Sequence, residues 1–265
     1  MAFRVFFVPL PSDMKHSLIN IILVILVTFT ACGGNSRESS IEFNHVTVEK
    51  NVSIDNSKDA PQCHVHLDIL QVANDTSSRG RLINEAIVNK IFDMEQLTPQ
   101  AAADSFANTY TRDYRKNMYP LYREDYADAQ KRPWYEFRYV VTTETIHDGD
   151  ITNYLITLDY YEGGAHGITQ LLTLNFDNKT GRQVTLGDIF GPDYEASLCD
   201  QLVEALLKKT GDHDLKELHQ RGYLYSMDMF IPENYIIEGD QVTLIYNPYE
   251  IAPYSEGQIK LEIKR

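Results

Sequence analysis

Hydrophobic and polar residues follow two periods along this chain, and the periods occupy separate blocks. Alternation with period two, typical of half-buried strands, marks residues 41–54, 63–72, 134–146, 151–161, 168–176, 235–237, 241–246 and 258–263. Apolar spacing of three and four, typical of amphipathic helices, marks residues 81–94, 100–118, 195–209 and more weakly 214–220. This order predicts an α+β fold with a mostly antiparallel β-sheet and helices packed on one face.

Local signals refine the boundaries of these elements. Phase shifts in the first strand, 41–54, predict β-bulges. Thr98 and Pro99 are typical of a helix N-cap followed by the first helical position. Pro120 is expected to end or kink the helix that they begin. Residues 177–181 carry Asp at the start and Gly at the end, which predicts a tight turn.

The N-terminal segment is predicted to be a targeting signal. Lys15 precedes an apolar run, 18–28, that is too short to span a bilayer. This arrangement is typical of a signal peptide, which we predict for residues 1–31. Met1 and Met14 are both possible starts.

The predicted cleavage site favours a lipid anchor. Phe-Thr-Ala-Cys at 29–32 resembles a bacterial lipobox, so we predict lipidation of Cys32 and a flexible tether at 32–40. A plain secretory signal with a chance cysteine is the alternative. We therefore expect a membrane-anchored lipoprotein of the cell envelope, facing the periplasm or the exterior. The outer membrane is favoured in a Gram-negative host.

The composition of the chain limits the kinds of partner and cofactor that it is expected to bind. The chain has 38 acidic and 24 basic residues and a net charge of −14, which excludes nucleic acid as a natural partner and suits a basic protein. Cys63 and Cys199 are compatible with a disulfide or with two free thiols. No cofactor motif is present, and no metal site is predicted. His64 and His66 share a strand face that we interpret as solvated.

Two loops carry the candidate ligand-binding residues. Residues 162–167, Glu-Gly-Gly-Ala-His-Gly, are either a strand crossover in which His166 bonds backbone carbonyls, or a recognition loop. Residues 246–257 are rich in Tyr and Pro, which is typical of a recognition surface or of a loop pinned to the core by its rings. The candidates are Glu162, Gly163, Gly164, His166, Tyr246, Tyr249, Pro253 and Tyr254.

Three ordered blocks, at 161–167, 175–190 and 246–257, carry a family resemblance. Together they are similar to the RsiV-like domain of unknown function, the ectodomain of a lysozyme-sensing anti-sigma factor. Residues 41–130 more weakly resemble the PdaC-type module that often precedes it. The resemblance implies an N-terminal α+β module at 41–130 and a C-terminal α+β domain at 131–265.

These features lead to two functional hypotheses. The first is a lipid-anchored cell-envelope binding protein whose ligand is a basic muramidase such as lysozyme, or a cell-wall glycan. The alternative is a cell-envelope hydrolase acting on peptidoglycan or polysaccharide, with Glu162, His166 and Asp188 as its reacting groups. No complete catalytic motif accompanies these residues, which favours the first hypothesis.

Overall fold

The strands and helices lie close to where the hydrophobic pattern predicts them, except that the five-residue helix Leu186–Phe190 was not predicted. A computed structural model of the chain describes residues 41–73 and 76–265, and this part is α+β with two mostly antiparallel sheets, as predicted. Its strands are β1 (Phe43–Ser53), β2 (Gln62–Val72), β3 (Phe137–Asp148), β4 (Ile151–Glu162), β5 (Ile168–Asp177), β6 (Asn234–Glu238), β7 (Gln241–Tyr246) and β8 (Ile259–Lys264). Its helices are α1 (Ser78–Phe92), α2 (Pro99–Glu124), α3 (Leu186–Phe190), α4 (Glu195–Thr210) and α5 (Leu215–Gln220).

The larger sheet has five strands in the order β1-β2-β3-β4-β5. Only β2 and β3 are parallel, and α1 and α2 form the long crossover that a parallel pair requires. The β1–β2 register is unbroken from Phe43↔Val72 to Ser53↔Gln62, so the prediction of bulges in β1 is wrong. The even-numbered positions of β1 share one face, and the polar residue Lys50 accounts for the gap between Val48 and Val52 on that face.

Helices α1 and α2 pack on one face of the larger sheet. The hydroxyl of Ser77 accepts a hydrogen bond from the Gly80 N–H at 3.3 Å, and that of Thr98 accepts one from Ala101 at 3.2 Å, so side chains cap both helices. Helix α2 continues past Pro120 to Glu124, so of the two outcomes predicted for this proline the helix end is wrong, and the kink stays a prediction. Beyond the proline, Tyr122 is only 2% exposed, and its burial offsets the backbone hydrogen bond that proline removes.

The main core lies between these two helices and the larger sheet. Strand β2 contributes one complete face to it, with Val65, Leu67 and Ile69 fully buried and Cys63 beside them. The opposite face of β2 carries the two histidines of the sequence pattern. This alternation is what a central strand with one helix-covered face requires.

The smaller sheet has the order β6-β7-β8 and is packed by α4. Leu198, Leu202 and Leu206 of that helix are buried against the sheet in a second core, as their spacing predicts. Gly211 caps the helix with φ of 76°, the left-handed conformation that glycine adopts at helix ends.

Asparagine side chains join the two sheets. The amide of Asn153 accepts from the Ile237 N–H at 2.8 Å and donates to the Ile237 carbonyl at 2.9 Å. Asn247 makes the same pair of bonds to Leu171, at 2.8 and 3.1 Å. Both asparagines are buried. Each amide therefore satisfies strand backbone groups that would otherwise be buried without a partner.

The described residues cluster into one compact unit. The larger sheet takes β1 and β2 from before residue 130 and β3 to β5 from after it, while the division into modules at 41–130 and 131–265 stays a prediction. The predicted signal peptide, Cys32 and the tether lie outside the described residues. Within the described ranges, none of the helices is long and apolar enough to cross a membrane.

Candidate functional site

The glycine-rich loop, residues 163–167, connects β4 to β5 and is shaped by close backbone contacts. Gly163 has φ of 85°, and a Cβ at this position would lie 2.5 Å from the carbonyl oxygen of Trp134. A Cβ at Gly167 would lie 2.8 Å from the carbonyl oxygen of Tyr160. Gly164, with φ of 94°, faces open space. Two of the glycines are therefore required by sterics, in agreement with the structural interpretation of this loop.

His166 projects from this loop onto a second loop, residues 247–257, which we call the tyrosine loop. The imidazole stacks on the ring of Tyr254, with centroids 4.1 Å apart and planes inclined by 21°. His166 Nδ1 lies 2.9 Å from the carbonyl oxygen of Gly167, and the Tyr254 hydroxyl donates to the same oxygen at 3.1 Å. His166 thus contacts backbone, as the structural interpretation predicts, and is exposed, as recognition requires.

These contacts determine the tautomer of His166. The Gly167 carbonyl only accepts hydrogen bonds, so Nδ1 must carry a proton. In the neutral ring Nε2 is then an acceptor, and it lies 3.4 Å from the Tyr249 hydroxyl. The imidazole is therefore oriented from both sides by groups of the two loops.

Tyr249 occupies a strained turn in the tyrosine loop. Its φ is 73°, a region that costs a bulky residue about 1–3 kcal/mol. The turn is held by Asn247 and Glu250: the Glu250 N–H donates to the Asn247 carbonyl at 3.1 Å, and the Asn247 N–H donates to the Glu250 carboxylate at 2.8 Å. Tyr249 is 57% exposed, and its ring centroid is 5.4 Å from that of Tyr254. Strain that presents an exposed ring is typical of a functional position.

We call His166, Tyr249 and Tyr254 the histidine–tyrosine surface. Beside it lies an open groove of about 540 Å³ between the outer face of β4–β5 and the tyrosine loop. Leu155, Leu171, Pro248 and Tyr254 supply its apolar lining. The remaining lining includes hydroxyl, amide and charged groups, among them Thr157, Thr169, Ser255, Gln258, Lys260 and Glu144. An aromatic platform next to short polar side chains provides both stacking and hydrogen bonds to a ligand.

Two aromatic residues that sequence reasoning did not select extend this region. The Tyr161 hydroxyl donates to the carbonyl of Gly164 at 2.9 Å. Trp134, whose backbone packs on Gly163, is 53% exposed. A signal for both was present, because Tyr161 begins the glycine motif and Trp134 is the one tryptophan of the chain.

Three of the predicted ligand-binding residues do not belong to the histidine–tyrosine surface. Tyr246 is 0% exposed, and its hydroxyl donates to the Phe230 carbonyl at 2.6 Å, so its assignment to the ligand surface is corrected to a core position. The Glu162 carboxylate accepts from Tyr110 of α2 at 2.6 Å. Burial, and then this hydrogen bond, raise the pKa of Tyr110. Pro253 is exposed and precedes the 3₁₀ turn Tyr254–Glu256 that carries Tyr254.

The reacting groups considered for a hydrolase have separate contacts. Asp188 forms a capping box with Thr185, whose N–H and hydroxyl donate to its carboxylate at 2.8 and 2.7 Å and lower its pKa. Among the described residues, no hydrogen bond joins Glu162, His166 and Asp188 to one another. Asp177 is a turn residue as predicted, since its carboxylate accepts from the Thr180 hydroxyl and N–H at 2.8 and 2.7 Å.

The histidines of β2 and the two described cysteines were the other residues considered for metal binding or a disulfide. His64 and His66 share a partly exposed face with Asp68, which contacts His45 Nδ1 at 2.6 Å. Over residues 41–73 and 76–265, no group of three or more His, Cys, Asp or Glu has a metal-binding arrangement. Cys63 and Cys199 are free thiols, which settles the choice left open by the sequence, and burial raises the pKa of Cys63 to about 12.

The fold is similar to that of two solved structures described as DUF3298 family proteins. A DUF3298 family member from Bacteroides fragilis superposes with a TM-score of 0.76 at 25% identity, covering 86% of this chain and 91% of that one. A DUF3298 family protein from Pseudomonas aeruginosa gives a TM-score of 0.60 at 15% identity, over 86% and 92% of the two chains, which shows likeness of fold alone. No match was found among curated proteins.

The family match covers the C-terminal part of the chain. Residues 187–265 match the family described as "Protein of unknown function (DUF3298)". This range includes α4, the smaller sheet and the tyrosine loop, and thus Tyr249 and Tyr254, whereas His166 precedes it. The RsiV-like and PdaC-type resemblances stay predictions. The similarity to the DUF3298 family is therefore shown for residues 187–265 of this chain.

Proposed function

We propose that this protein is an extracytoplasmic binding protein that recognises a cell-wall glycan through the histidine–tyrosine surface. The observation that carries the proposal is the stacking of His166 on Tyr254, 4.1 Å between centroids, on a surface that also exposes Tyr249. Exposed rings held by two fixed loops lose little conformational entropy when a ligand binds. They offer the flat apolar faces on which sugar rings stack.

The groove beside the surface favours a glycan over a basic protein. Its lining combines the Tyr254 ring with the hydroxyls of Thr157 and Thr169 and the amide of Gln258. Groups of this kind hydrogen-bond the hydroxyls of a sugar, which a flat protein surface offers less often. Lysozyme, the other partner expected from the sequence, is supported by the net charge of −14, whereas the ring, hydroxyl and amide groups of the groove support a glycan.

The location in the cell envelope belongs to the same proposal. It rests on the signal peptide and lipobox pattern ending at Cys32, which would keep the described domain near cell-wall polymers. The hydrolase alternative has less support, since Glu162 contacts α2 whereas His166 contacts the tyrosine loop. General acid and base groups acting on one bond must converge on that bond.

Titration calorimetry with chitotetraose, a neutral cell-wall-like oligosaccharide, tests the proposal. We expect binding by the wild-type protein, and a loss of about 2 kcal/mol, roughly 30-fold in Kd, for Tyr254→Ala. Tyr254→Phe keeps the stacking ring and should bind nearly as the wild type does. Tyr126→Ala is a matched control, because Tyr126 is 59% exposed and packs on Tyr122 at the end of α2.

Two outcomes contradict the glycan assignment. One is the absence of binding to chitotetraose and to soluble peptidoglycan fragments. The other is tight binding to lysozyme that is weakened by Tyr254→Ala, which would identify a basic protein as the ligand. Release of reducing ends from peptidoglycan, lost in His166→Ala, would instead support the hydrolase.

A further inference from the structure

A second groove lies between the edge strand β1 and helix α2. It shares no lining residue with the groove beside the histidine–tyrosine surface. Its volume is about 970 Å³, within the range of sites that hold small molecules. One wall is the end of β1 with the loop that follows it, residues 50–57. The other wall is one face of α2, where Asn108, Arg112, Arg115 and Tyr119 recur at helical spacing.

The charge of this groove is opposite to that of the chain. Four cationic side chains line it, together with a single carboxylate, that of Asp55. The chain as a whole carries a net charge of −14. The cations are Lys50, Arg112, Arg115 and Lys116. Cations gathered in a concave site raise the local concentration of anions there, even on an acidic protein.

Two of the cations are held in place by neutral partners, so their charges are not cancelled. Arg115 Nε donates to the carbonyl oxygen of Ser53 at 2.7 Å. Lys50 Nζ donates to the amide oxygen of Asn108. The one carboxylate, that of Asp55, stays ionised, because the hydroxyl and N–H of Ser57 donate to it at 2.6 and 2.9 Å and lower its pKa. Four positive charges and one negative charge therefore line the groove.

A purely structural role explains only part of this arrangement. A lysine that points inward on an edge strand protects the strand against pairing with another chain, which accounts for Lys50. It does not account for three cations on the facing side of α2. Arg112 pairs with Asp113 at 3.0 Å, but its side chain remains 68% exposed. Such an ion pair contributes little to stability.

The geometry points to a binding site for an acidic glycan, one that carries carboxylate or phosphate groups on a sugar chain. The guanidinium groups of Arg112 and Arg115 match the planar oxygens of these anions. The amide of Asn56 and the amide N–H groups of Asn108 face the groove and can bond sugar hydroxyls. Tyr119 is 39% exposed and offers a ring face at the end of the groove. The site is independent of the glycan site proposed above, since the two have no lining residue in common.

The double substitution Arg112→Gln and Lys116→Gln tests this inference in the full-length protein. Both side chains are exposed, so the fold should tolerate the change. The matched control is Lys208→Gln with Lys209→Gln at the exposed end of α4, which alters the net charge equally. The probes are tetragalacturonate for carboxylate, glucose 1-phosphate for phosphate, and neutral chitotetraose, each followed by titration calorimetry at low and at physiological salt.

We expect an acidic probe to bind, and the groove variant to bind it at least about tenfold more weakly, since each charge-assisted hydrogen bond is a strong contact. The affinity should fall with added salt. Binding of tetragalacturonate alone or of glucose 1-phosphate alone identifies the anion and supports the site. Tyr254→Ala should leave binding of the acidic probe unchanged, which separates this inference from the proposed function.

Three results would overturn the inference. The first is that neither acidic probe binds the wild-type protein. The second is an equal loss of affinity in the groove variant and the α4 control, which would indicate bulk charge rather than a site. The third is tighter binding of a thymidine oligonucleotide than of either sugar probe, which would reject a glycan as the ligand.

Discussion

The imidazole of His166 stacks on the ring of Tyr254 with 4.1 Å between centroids, and both residues share the carbonyl oxygen of Gly167 as a hydrogen-bond acceptor. His166 belongs to the loop after β4 in the larger sheet. Tyr254 belongs to the loop before β8 in the smaller one. The contact therefore exists only because the two sheets pack together, and it converts two loops into one exposed aromatic surface.

In the glycine-rich loop, substitution by alanine should destabilise the protein more at Gly163 than at Gly164. Gly163→Ala combines a positive φ with a Cβ 2.5 Å from the Trp134 carbonyl oxygen, whereas Gly164→Ala meets only the positive φ. We expect Gly164→Ala to lower the free energy of unfolding by about 1 kcal/mol, and Gly163→Ala by a further 2 kcal/mol or so. Urea denaturation measures both, and equal losses would contradict the steric argument.

The asparagine junction should be a large contributor to stability. Asn153→Ala removes both partners of the buried Ile237 backbone, so we expect unfolding to become easier by about 2–4 kcal/mol. Asn44→Ala, on the exposed part of the edge strand β1, is the control and should change stability by less than about 0.5 kcal/mol. Thermal and urea unfolding would report the difference, and a mild effect of Asn153→Ala would show that water replaces the amide.

The backbone conformation of Tyr249 should lower the stability of the protein, while its exposed ring contributes to ligand binding. At φ of 73°, glycine avoids the strain that any L-residue with a Cβ experiences, so Tyr249→Gly should be more stable than Tyr249→Ala by about 1 kcal/mol. Both substitutions remove the exposed ring and should weaken ligand binding alike. The prediction fails if the alanine variant is as stable as the glycine variant, or if either one keeps full affinity in calorimetry.

Alkaline pH should destabilise the protein partly through Cys63. Burial raises the pKa of this thiol to about 12, above its ordinary value of 9.0. The unfolded chain therefore loses the thiol proton at lower pH than the folded chain, and stability present below about pH 9 declines as pH rises toward 12. Cys63→Ala should flatten this decline in urea titrations between pH 8 and 11, whatever its effect at neutral pH.

Selective labelling checks the same environment. Iodoacetamide at pH 8 followed by peptide mass mapping should leave Cys63 unmodified in the native protein and modify it in urea. Rapid native labelling of Cys63 would contradict its burial.

The lipid anchor is open to a direct test. If Cys32 is acylated, Cys32→Ala should move the protein from the membrane fraction to the soluble envelope fraction after cell lysis, because the remaining signal is only secretory. Substitution of Cys199, which lies far along the chain in α4, is the matched control. Retention of the Cys32 variant in the membrane fraction would reject the lipoprotein prediction.

Local sequence was sufficient for most of the secondary structure. The cap at Thr98 and the turn built on Asp177 depend on residues a few positions apart, so the pattern predicts them directly. The start of α1 was predicted at residue 81, whereas its N-cap is Ser77. The bulges expected in β1 and the helix end expected at Pro120 are exceptions. The effect of the proline on α2 was outweighed by the burial of Tyr122, which depends on residues distant in the chain.

The sequence by itself determined the α+β class, the order of the strands and of helices α1, α2, α4 and α5, and the two loops in which the candidate site lies. Only the tertiary structure decided that Tyr246 is buried while Tyr249 and Tyr254 are exposed, that Glu162 contacts α2 rather than His166, and that α2 and β1 form a basic groove. The reason is physical. Periodicity and capping act within one turn or strand, whereas burial and side-chain contacts depend on which surfaces of separate elements pack together.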